Sequence, residues 1–264
     1  MSDPDHSGAV LTERRGAVAF ITLNRPERMN SFDIRLGEEL YAALRGAAAD
    51  PDLRCVVLRG EGRAFCCGGD VREMHGACDR PAYLRELTQA IHRCVLEIRG
   101  MDKPVIAAIH GSAYGAGLSL ALACDLIVAS REARMNTAFL GIGLAPGCGT
   151  KFMTDLLGYH RACELVLLAR TFTADEAMGM GLVNMVVDGE MLDSSVEELA
   201  GNFETMPPVA VGMAKMLLNE SISNDLRSHL SLESITAARS AGTDDFAEGV
   251  EAFVEKRKPE FRGR

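Results

Sequence analysis

Two short glycine-containing segments have the residue types and the spacing that point most clearly to chemistry. Gly68-Gly69 and Gly115-Ala116-Gly117 each follow an apolar run and precede a predicted helix. The first peptide N–H groups of a helix have no intrahelical partner and lie at the positive end of its dipole. Two such helix ends facing each other would direct two N–H donors at one oxygen atom and form an oxyanion hole. On these residues alone a second interpretation stays open, in which the glycines only form tight strand-to-helix turns.

The elements that must position these segments alternate between short apolar strands and helices. Apolar runs predict buried strands at 54–59 and 104–109, and apolar residues at spacings of three and four predict helices at 33–48 and 81–100. Ser31 is the expected N-cap of the first of these helices. This alternation is typical of a parallel sheet in an α/β protein. Neither glycine segment has the G-x-G-x-x-G spacing, so a Rossmann dinucleotide site is not indicated.

The two ends of the chain have different patterns. Alternating runs at 10–14 and 17–24 predict an N-terminal hairpin. After about residue 150 the apolar spacing is mostly helical, with one further strand predicted at 182–187. Thr173 and Glu176 have the spacing of a capping box for one of these helices.

Composition and charge exclude several classes of protein. The chain is 47% hydrophobic and 25% charged, which is ordinary for a globular protein. Its 28 Lys and Arg against 37 Asp and Glu give a net charge of −9, which argues against nucleic acid or an anionic membrane as a partner. No apolar run approaches the roughly 18 residues that span a bilayer, and the acidic start at 1–7 does not resemble a signal peptide. Eight cysteines without a C-x-x-C pair predict reduced thiols in a cytoplasmic protein, and we expect no metal site.

Several longer segments, spread over the whole chain, resemble the motifs of one protein family. They are Asn24 to Asn30, Ala64 to Met74, Lys103 to Gly117 with Ala123-Cys-Asp125, Ala174-Asp-Glu-Ala, Gly181 to Asn184 and Ala252 to Pro259. Their order and content resemble the crotonase superfamily, also called the enoyl-CoA hydratase/isomerase family. In that family the second and third segments supply the two oxyanion-hole amides.

The resemblance implies a fold, an assembly and a ligand. The implied fold is an α/β crotonase-type spiral of repeated ββα units with a C-terminal α-helical trimerisation region. We expect the acyl-CoA site in a core at 1–200 and the oligomerisation helices at 201–264. The assembly would be a homo-oligomer, a trimer or a hexamer built as a dimer of trimers. The ligand would be an acyl-CoA thioester of fatty acid metabolism, with coenzyme A as part of the substrate and no permanently bound cofactor.

The resemblance also implies roles for individual residues. The thioester oxygen would accept hydrogen bonds from the amides of Gly69 and Ala116. The family usually has glycine at the second position, but alanine keeps the N–H. Coenzyme A would contact residues from two subunits. From one subunit these are Arg28, Ala64, Cys66, Gly69, Asp70, Val71 and Arg72, and from its neighbour they are Phe253 and Lys256.

The sequence departs from the family pattern at the residues that handle protons. Hydratases of the family have two glutamates that hold and activate water, and these positions are Ser119 and Phe139 here. Ordinary enoyl-CoA hydration is therefore not expected, because acid–base addition of water needs such groups. Ser119 and Cys148 could replace them, the thiol because a predicted helix N-terminus would lower its pKa. Two alternatives stay open, in which Ser119 is a packing residue and Cys148 is a buried apolar cysteine.

Further polar side chains close to the two segments are Tyr114, Thr137 and His75, and Asp70 suits a helix N-terminus. The sequence predicts a hydratase/isomerase-like enzyme of the lyase or isomerase class that stabilises a thioester enolate. Decarboxylation fits the missing glutamates, because loss of CO2 itself leaves the enolate. The alternative is a non-catalytic acyl-CoA-binding protein.

Overall fold

The computed structural model describes residues 8–264, so the expectation that 1–7 is no signal peptide lies outside the described residues. Nine strands occur in the described chain. They are β1 Val10–Arg15, β2 Val18–Leu23, β3 Cys55–Gly60, β4 Val105–Ile109, β5 Ser112–Tyr114, β6 Leu126–Ser130, β7 Arg134–Asn136, β8 Phe172–Thr173 and β9 Met185–Val187. Six of them form one sheet in the order β1-β2-β3-β4-β6-β9. Only the β1–β2 hairpin is antiparallel in this sheet, and the other pairs are parallel.

A second, three-stranded sheet was not predicted from the sequence. It has the order β5-β7-β8, and its strands are two or three residues long. Strands of this length are too short to have a recognisable hydrophobic period. The strand expected at 182–187 is shorter than predicted, because Leu182 donates its backbone N–H to the Ala177 carbonyl of the preceding helix segment and not to a strand.

Eleven α-helices surround the sheets in the described chain. They are α1 Ile34–Ala49, α2 Val71–Gly76, α3 Arg80–Gly100, α4 Ala116–Ala123, α5 Thr150–Leu157, α6 Tyr159–Leu167, α7 Ala174–Gly179, α8 Leu192–Gly201, α9 Pro208–Ser221, α10 Leu226–Ser240 and α11 Asp244–Glu255. The predicted helices at 33–48 and 81–100 and the capping box of α7 are confirmed.

The predicted N-cap of α1 is wrong. Asp33, not Ser31, accepts the backbone N–H of Leu36 at 2.8 Å. Ser31 lies too early because Phe32 is still extended and pairs with Gly69 in an isolated bridge. The N-cap therefore lies two residues later than the sequence indicated.

Both faces of the larger sheet are covered. On one face α1, α3 and α4 contribute buried side chains, including Leu36, Leu40, Leu87 and Ile98, and α4 is buried along its whole length. On the other face α8 packs Val196 and its neighbours against β2, β3 and β4. A parallel sheet covered in this way is an α/β core. The Gly68-Gly69 segment follows β3 after a loop, and the Gly115-Ala116-Gly117 segment follows β4 and β5.

The C-terminal helices are joined to this core by a buried lysine. Lys215 of α9 donates to the carbonyl oxygens of Ile98 and Lys103 at 2.7 and 2.9 Å and pairs with Asp125 at 2.7 Å. Burial lowers the pKa of Lys215, and the Asp125 carboxylate opposes that shift. Beyond this anchor, α11 leaves its apolar side chains Phe246, Val250, Phe253 and Val254 exposed.

Candidate active site

The first oxyanion segment is held by an isolated bridge to Phe32. Phe32 donates its N–H to the Gly68 carbonyl at 2.6 Å and accepts the N–H of Asp70 at 2.8 Å. In such a parallel bridge the intervening residue directs its own polar groups away from the partner. The N–H of Gly69 therefore faces away from Phe32, and no acceptor for it occurs in residues 8–264.

The second segment starts at β5 and turns into α4. Gly115 is the N-cap of α4 with φ 52°, and its N–H donates to the Asn136 carbonyl at 2.9 Å. Ala116 is the first helical residue, so its N–H has no intrahelical partner. Hydrogen bonds between Cys66 and β5 join the two segments, at 3.0 Å to Ser112 and 2.9 Å from Tyr114.

The glycines allow an approach that larger residues would prevent. A Cβ atom at Gly117 would clash with the Cys66 carbonyl oxygen, which is backbone and cannot move aside. Gly68 has φ +92°, and a Cβ atom there would lie 3.0 Å from the Tyr114 carbonyl oxygen and 3.6 Å from the Ala116 nitrogen. The structure thus brings the Gly69 and Ala116 segments side by side.

A small apolar cavity is lined by both Ser119 and Phe139, the two positions at which the family resemblance leads us to expect the hydratase glutamates. Its volume is about 10 Å³, which is enough for one water molecule. Ser119 is buried and donates to the Gly115 carbonyl at 3.0 Å, and the ring of Phe139 lies beside Gly115. The remaining lining residues are also uncharged: Leu118, Leu122, Thr137, Pro146, Cys148, Gly149, Thr150, Met153 and Val166. None of the residues that line this cavity is a carboxylate.

Of the two interpretations of Cys148, the structure supports the buried apolar cysteine and not the thiol whose pKa is lowered by a helix N-terminus. The helix α5 begins only at Thr150, and Cys148 precedes its N-cap, Gly149. Burial raises the pKa of the Cys148 thiol, and the hydrogen bond with Ser119 only partly opposes that shift. Burial also raises the pKa of Cys66 to about 12. Both thiols are therefore poor sources of a thiolate near neutral pH.

All eight cysteines are free, in line with the expected reduced thiols, and four are buried.

The other polar candidates contribute little to the cavity. Thr137 lines it but donates to the Leu165 carbonyl at 3.4 Å, whereas Tyr114 does not line it and His75 is exposed at the end of α2.

The residues expected to contact coenzyme A fall into two groups. Those of the first oxyanion segment lie together: Ala64, Cys66 and Asp70 are buried, and Val71 and Arg72 are exposed in the first turn of α2. Arg28 lies 3.9 Å from Asp70. Phe253 and Lys256 do not join this group within one chain. Phe253 is 85% exposed at the end of α11, and Lys256 follows it as the C-cap.

Sequence reasoning missed the part played by Arg25 and Asn30. Both belong to the opening motif at 24–30, in which only Arg28 was assigned a role. Asn30 is buried with φ 54°, and its amide nitrogen donates to the carbonyls of Glu61 and Ala64 at 2.9 and 2.7 Å. The sequence signal for Asn30 was therefore its residue type, because asparagine is one of the few residues that readily adopt a positive φ, and it lies within a recognised motif.

Comparison with known sequences and structures decides the family. The sequence model described as enoyl-CoA hydratase/isomerase matches residues 13–264. The chain belongs to the enoyl-CoA hydratase/isomerase family. Two relatives have different activities in their names. The 1,2-epoxyphenylacetyl-CoA isomerase of Escherichia coli K12 is 35% identical, over 97% of this chain and 98% of that protein. The short-chain-enoyl-CoA hydratase of Clostridium acetobutylicum is 33% identical, over 97% and 98%.

Solved structures of the enoyl-CoA hydratase/isomerase family have the same fold. The crystal structure of an enoyl-CoA hydratase from Bacillus anthracis superposes with a TM-score of 0.93 at 33% identity, covering 97% of this chain and 100% of that one. The predicted crotonase fold with C-terminal helices is therefore confirmed. Within residues 8–264, no helix has both the length and the apolar composition to cross a membrane, and no group of three or more His, Cys, Asp and Glu suits a metal ion.

Proposed function

We propose that this enzyme binds an acyl-CoA thioester and stabilises its enolate between the amides of Gly69 and Ala116. The observation that carries the proposal is the close approach of the two segments, for which glycine is required at positions 68 and 117. Two amides without acceptors on adjoining segments suit an oxygen atom that gains negative charge. Coenzyme A enters as part of the substrate, and the enzyme has no permanently bound cofactor.

The chemistry follows from the acidity of the thioester α-carbon. A bond to that carbon breaks more easily when the electron pair it leaves can move onto the thioester oxygen. Two preorganised N–H donors stabilise that oxygen, and one such donor is typically worth about 3 kcal/mol of barrier. The Phe139 ring and the small apolar cavity limit water at this place, which strengthens both hydrogen bonds.

The reaction that uses this enolate belongs to the lyase or isomerase class. Hydration needs groups that activate water, and Ser119 and Phe139 stand where hydratases have glutamates. Decarboxylation needs no added base. The bond between the α-carbon and a carboxylate breaks, CO2 leaves, and its bonding electrons form the enolate, which then takes a proton from water. The relatives are named as enzymes, so the non-catalytic acyl-CoA-binding alternative is not favoured.

We further propose the wider setting that the family resemblance implies. Arg28, Ala64, Cys66, Val71 and Arg72 contact coenzyme A in one subunit, and residues near the end of α11 contact it from the neighbour. The core at 1–200 holds the site, and the helices at 201–264 form a trimer or hexamer. Free, largely buried thiols are compatible with the reducing cytoplasm and with a role in fatty acid metabolism there.

Three measurements on one preparation test the proposed function. Calorimetry should detect binding of saturated and α,β-unsaturated acyl-CoAs, because the backbone donors are in place. Crotonyl-CoA should keep its enoyl-thioester absorbance, because general acid–base assistance is worth about 10² to 10⁴ in rate per group and no carboxylate lines the cavity. Mass spectrometry on a panel of 2-carboxyacyl-CoAs should detect loss of CO2 from at least one member.

The two possible failures have different meanings. If no acyl-CoA binds, the oxyanion proposal is wrong. If crotonyl-CoA is hydrated briskly, the enzyme has a proton-transfer group outside the cavity lining, and the assignment to a reaction without carboxylates is wrong.

A further inference from the structure

The opening motif braces the segment that presents the Gly69 amide. Besides its two bonds to the Glu61 and Ala64 carbonyls, Asn30 accepts the backbone N–H of Arg25 at 2.8 Å. The Met29 carbonyl accepts the N–H of Cys67 at 3.1 Å. The backbone on the N-terminal side of Gly69 is thus fixed to the motif.

Arg25 fixes the backbone on the C-terminal side of Gly69. Its side chain is 14% exposed, and one nitrogen, Nη1, donates to the Ser31 carbonyl at 2.6 Å and lies 2.9 Å from Asp33. The other, Nη2, lies 3.4 Å from Asp70. Asp33 and Asp70 are the N-caps of α1 and α2, so one guanidinium joins the starts of two helices.

Without Arg25 these two N-cap carboxylates would lose their shared cation. Arg28 is the other cation recorded at Asp70, at the longer distance of 3.9 Å. Asp70 is only 3% exposed, so water would screen the repulsion between the Asp33 and Asp70 carboxylates poorly. Because Asp70 directly follows Gly69, a displacement of Asp70 is transmitted through the Gly69 Cα to the preceding peptide, which carries the Gly69 N–H.

We propose that Arg25 is a positioning residue that acts through Asp70 to aim the Gly69 amide at the substrate oxygen. This inference rests on the proposed function, because it assumes that Gly69 stabilises an enolate. Arg25 touches neither substrate nor reacting atoms. Its effect is therefore specific to the charged state of the ligand, and binding of a neutral thioester remains.

Acetoacetyl-CoA is a suitable probe, because its enolate absorbs in the near ultraviolet and its bound pKa reports how well the site stabilises a negative oxygen. In the unmodified enzyme we expect that ligand pKa to fall on binding. In Arg25→Met the enolate fraction should drop about tenfold, since small misplacements of a catalytic group have effects of this order or larger. Arg25→Lys should give an enolate fraction between those of the unmodified enzyme and Arg25→Met, because a single ammonium nitrogen lacks the planar fork with which the guanidinium joins Asp33 and Asp70. Affinity for butyryl-CoA should stay unchanged in both.

Asp70→Asn separates positioning from simple charge. Asparagine is as good an N-cap as aspartate, so α2 still starts at the same residue, but the ion pair with Arg25 is lost. If Arg25 acts by positioning, the pKa of bound acetoacetyl-CoA rises in this variant. If Arg25 only neutralises a nearby negative charge, removing that charge lowers the ligand pKa, and the positioning role is overturned.

Arg131→Met is the matched control, because Arg131 also pairs with two carboxylates, Asp175 at 3.0 Å and Asp188 at 3.1 Å, but on the surface. In Arg131→Met the enolate fraction of bound acetoacetyl-CoA should equal that in the unmodified enzyme. If the unmodified enzyme does not ionise acetoacetyl-CoA, the proposed function fails. If it does and Arg25→Met matches it, only the positioning role fails. Should Arg25→Met not fold, Arg25→Lys and Asp70→Asn give the same decision.

Discussion

At the scale of single residues, the candidate site depends more on backbone than on side chains. The groups proposed to bind the thioester oxygen are amides, and the side chains around them mainly decide how closely the backbone can approach. Gly117 is the clearest case, because its Cα faces the Cys66 carbonyl. Ser119, by contrast, donates its hydroxyl hydrogen bond to the carbonyl of Gly115, the N-cap of its own helix.

A methyl group at Gly117 should therefore be costly. We expect Gly117→Ala to lower the free energy of unfolding by about 2 kcal/mol, the usual range for overpacking, and to abolish acyl-CoA binding by separating the two segments. Gly46→Ala is the control, because Gly46 lies within α1 and nothing is within 4 Å of an added Cβ. It should raise stability by about 0.5–1 kcal/mol. Urea unfolding and calorimetry measure both effects, and equal behaviour of the two variants would contradict the argument.

At the scale of elements, the sequence predicted what is periodic and missed what is long-range. The helices α1 and α3 were found because their apolar spacing repeats over many residues, and the strand β4 was found because its residues form an unbroken apolar run. The strand β5 was not predicted, because three residues are too few to have a hydrophobic period. Its pairing partner β7 lies some twenty positions further along the chain. The start of α1 was misplaced for a related reason, since the pairing of Phe32 with Gly69 is invisible to local propensity.

The site was predictable to the same extent. The positions of Gly69 and Ala116 followed from motifs that resemble a known family, and local glycine content supported them. The contribution of Arg25 could not be read locally, because its partner Asp70 is 45 positions away. The two interpretations of Cys148 could not be separated from the sequence, because the burial of a residue depends on the packing of elements distant in sequence.

The junction between α9 and the core provides a prediction at this scale. Lys215→Met should lower the free energy of unfolding by about 3 kcal/mol, because it leaves the Asp125 carboxylate and two buried carbonyls without their shared partner. Lys151→Met is the control, since its pair with Asp155 is a surface pair within one helix and is worth about 0.5 kcal/mol or less. Urea denaturation of both variants checks the difference. A Lys215 effect as small as that of Lys151 would mean that α9 is held by its apolar contacts alone.

At the scale of the whole molecule, one chain leaves a large apolar surface on its last helix. Phe246, Val250, Phe253 and Val254 are all exposed on α11, which is more than an isolated surface helix normally carries. The family resemblance implies a trimer or hexamer in which this region meets a neighbouring subunit. Light scattering at micromolar concentration should therefore give a mass of three or six chains, and a monomer mass would contradict the proposed assembly.

The same assembly makes a sharper prediction about binding. If the end of α11 reaches the coenzyme A nucleotide of a neighbour, Phe253→Ser should weaken acyl-CoA affinity about tenfold, which is the lower part of the range for losing an aromatic contact to a base. Folding of each chain should be unaffected, because the side chain is 85% exposed. Val254→Ser is the matched control, being 74% exposed and adjacent but not assigned to the nucleotide.

Calorimetry with an acyl-CoA and with the corresponding acyl-pantetheine, which lacks the nucleotide, completes the test. The loss should appear only with the full coenzyme, because Phe253 is far along the chain from the oxyanion segments and is proposed to touch only the nucleotide end. An equal loss with both ligands would mean that Phe253→Ser disturbs the site through the assembly, and the assignment of Phe253 to the neighbour's nucleotide would be wrong.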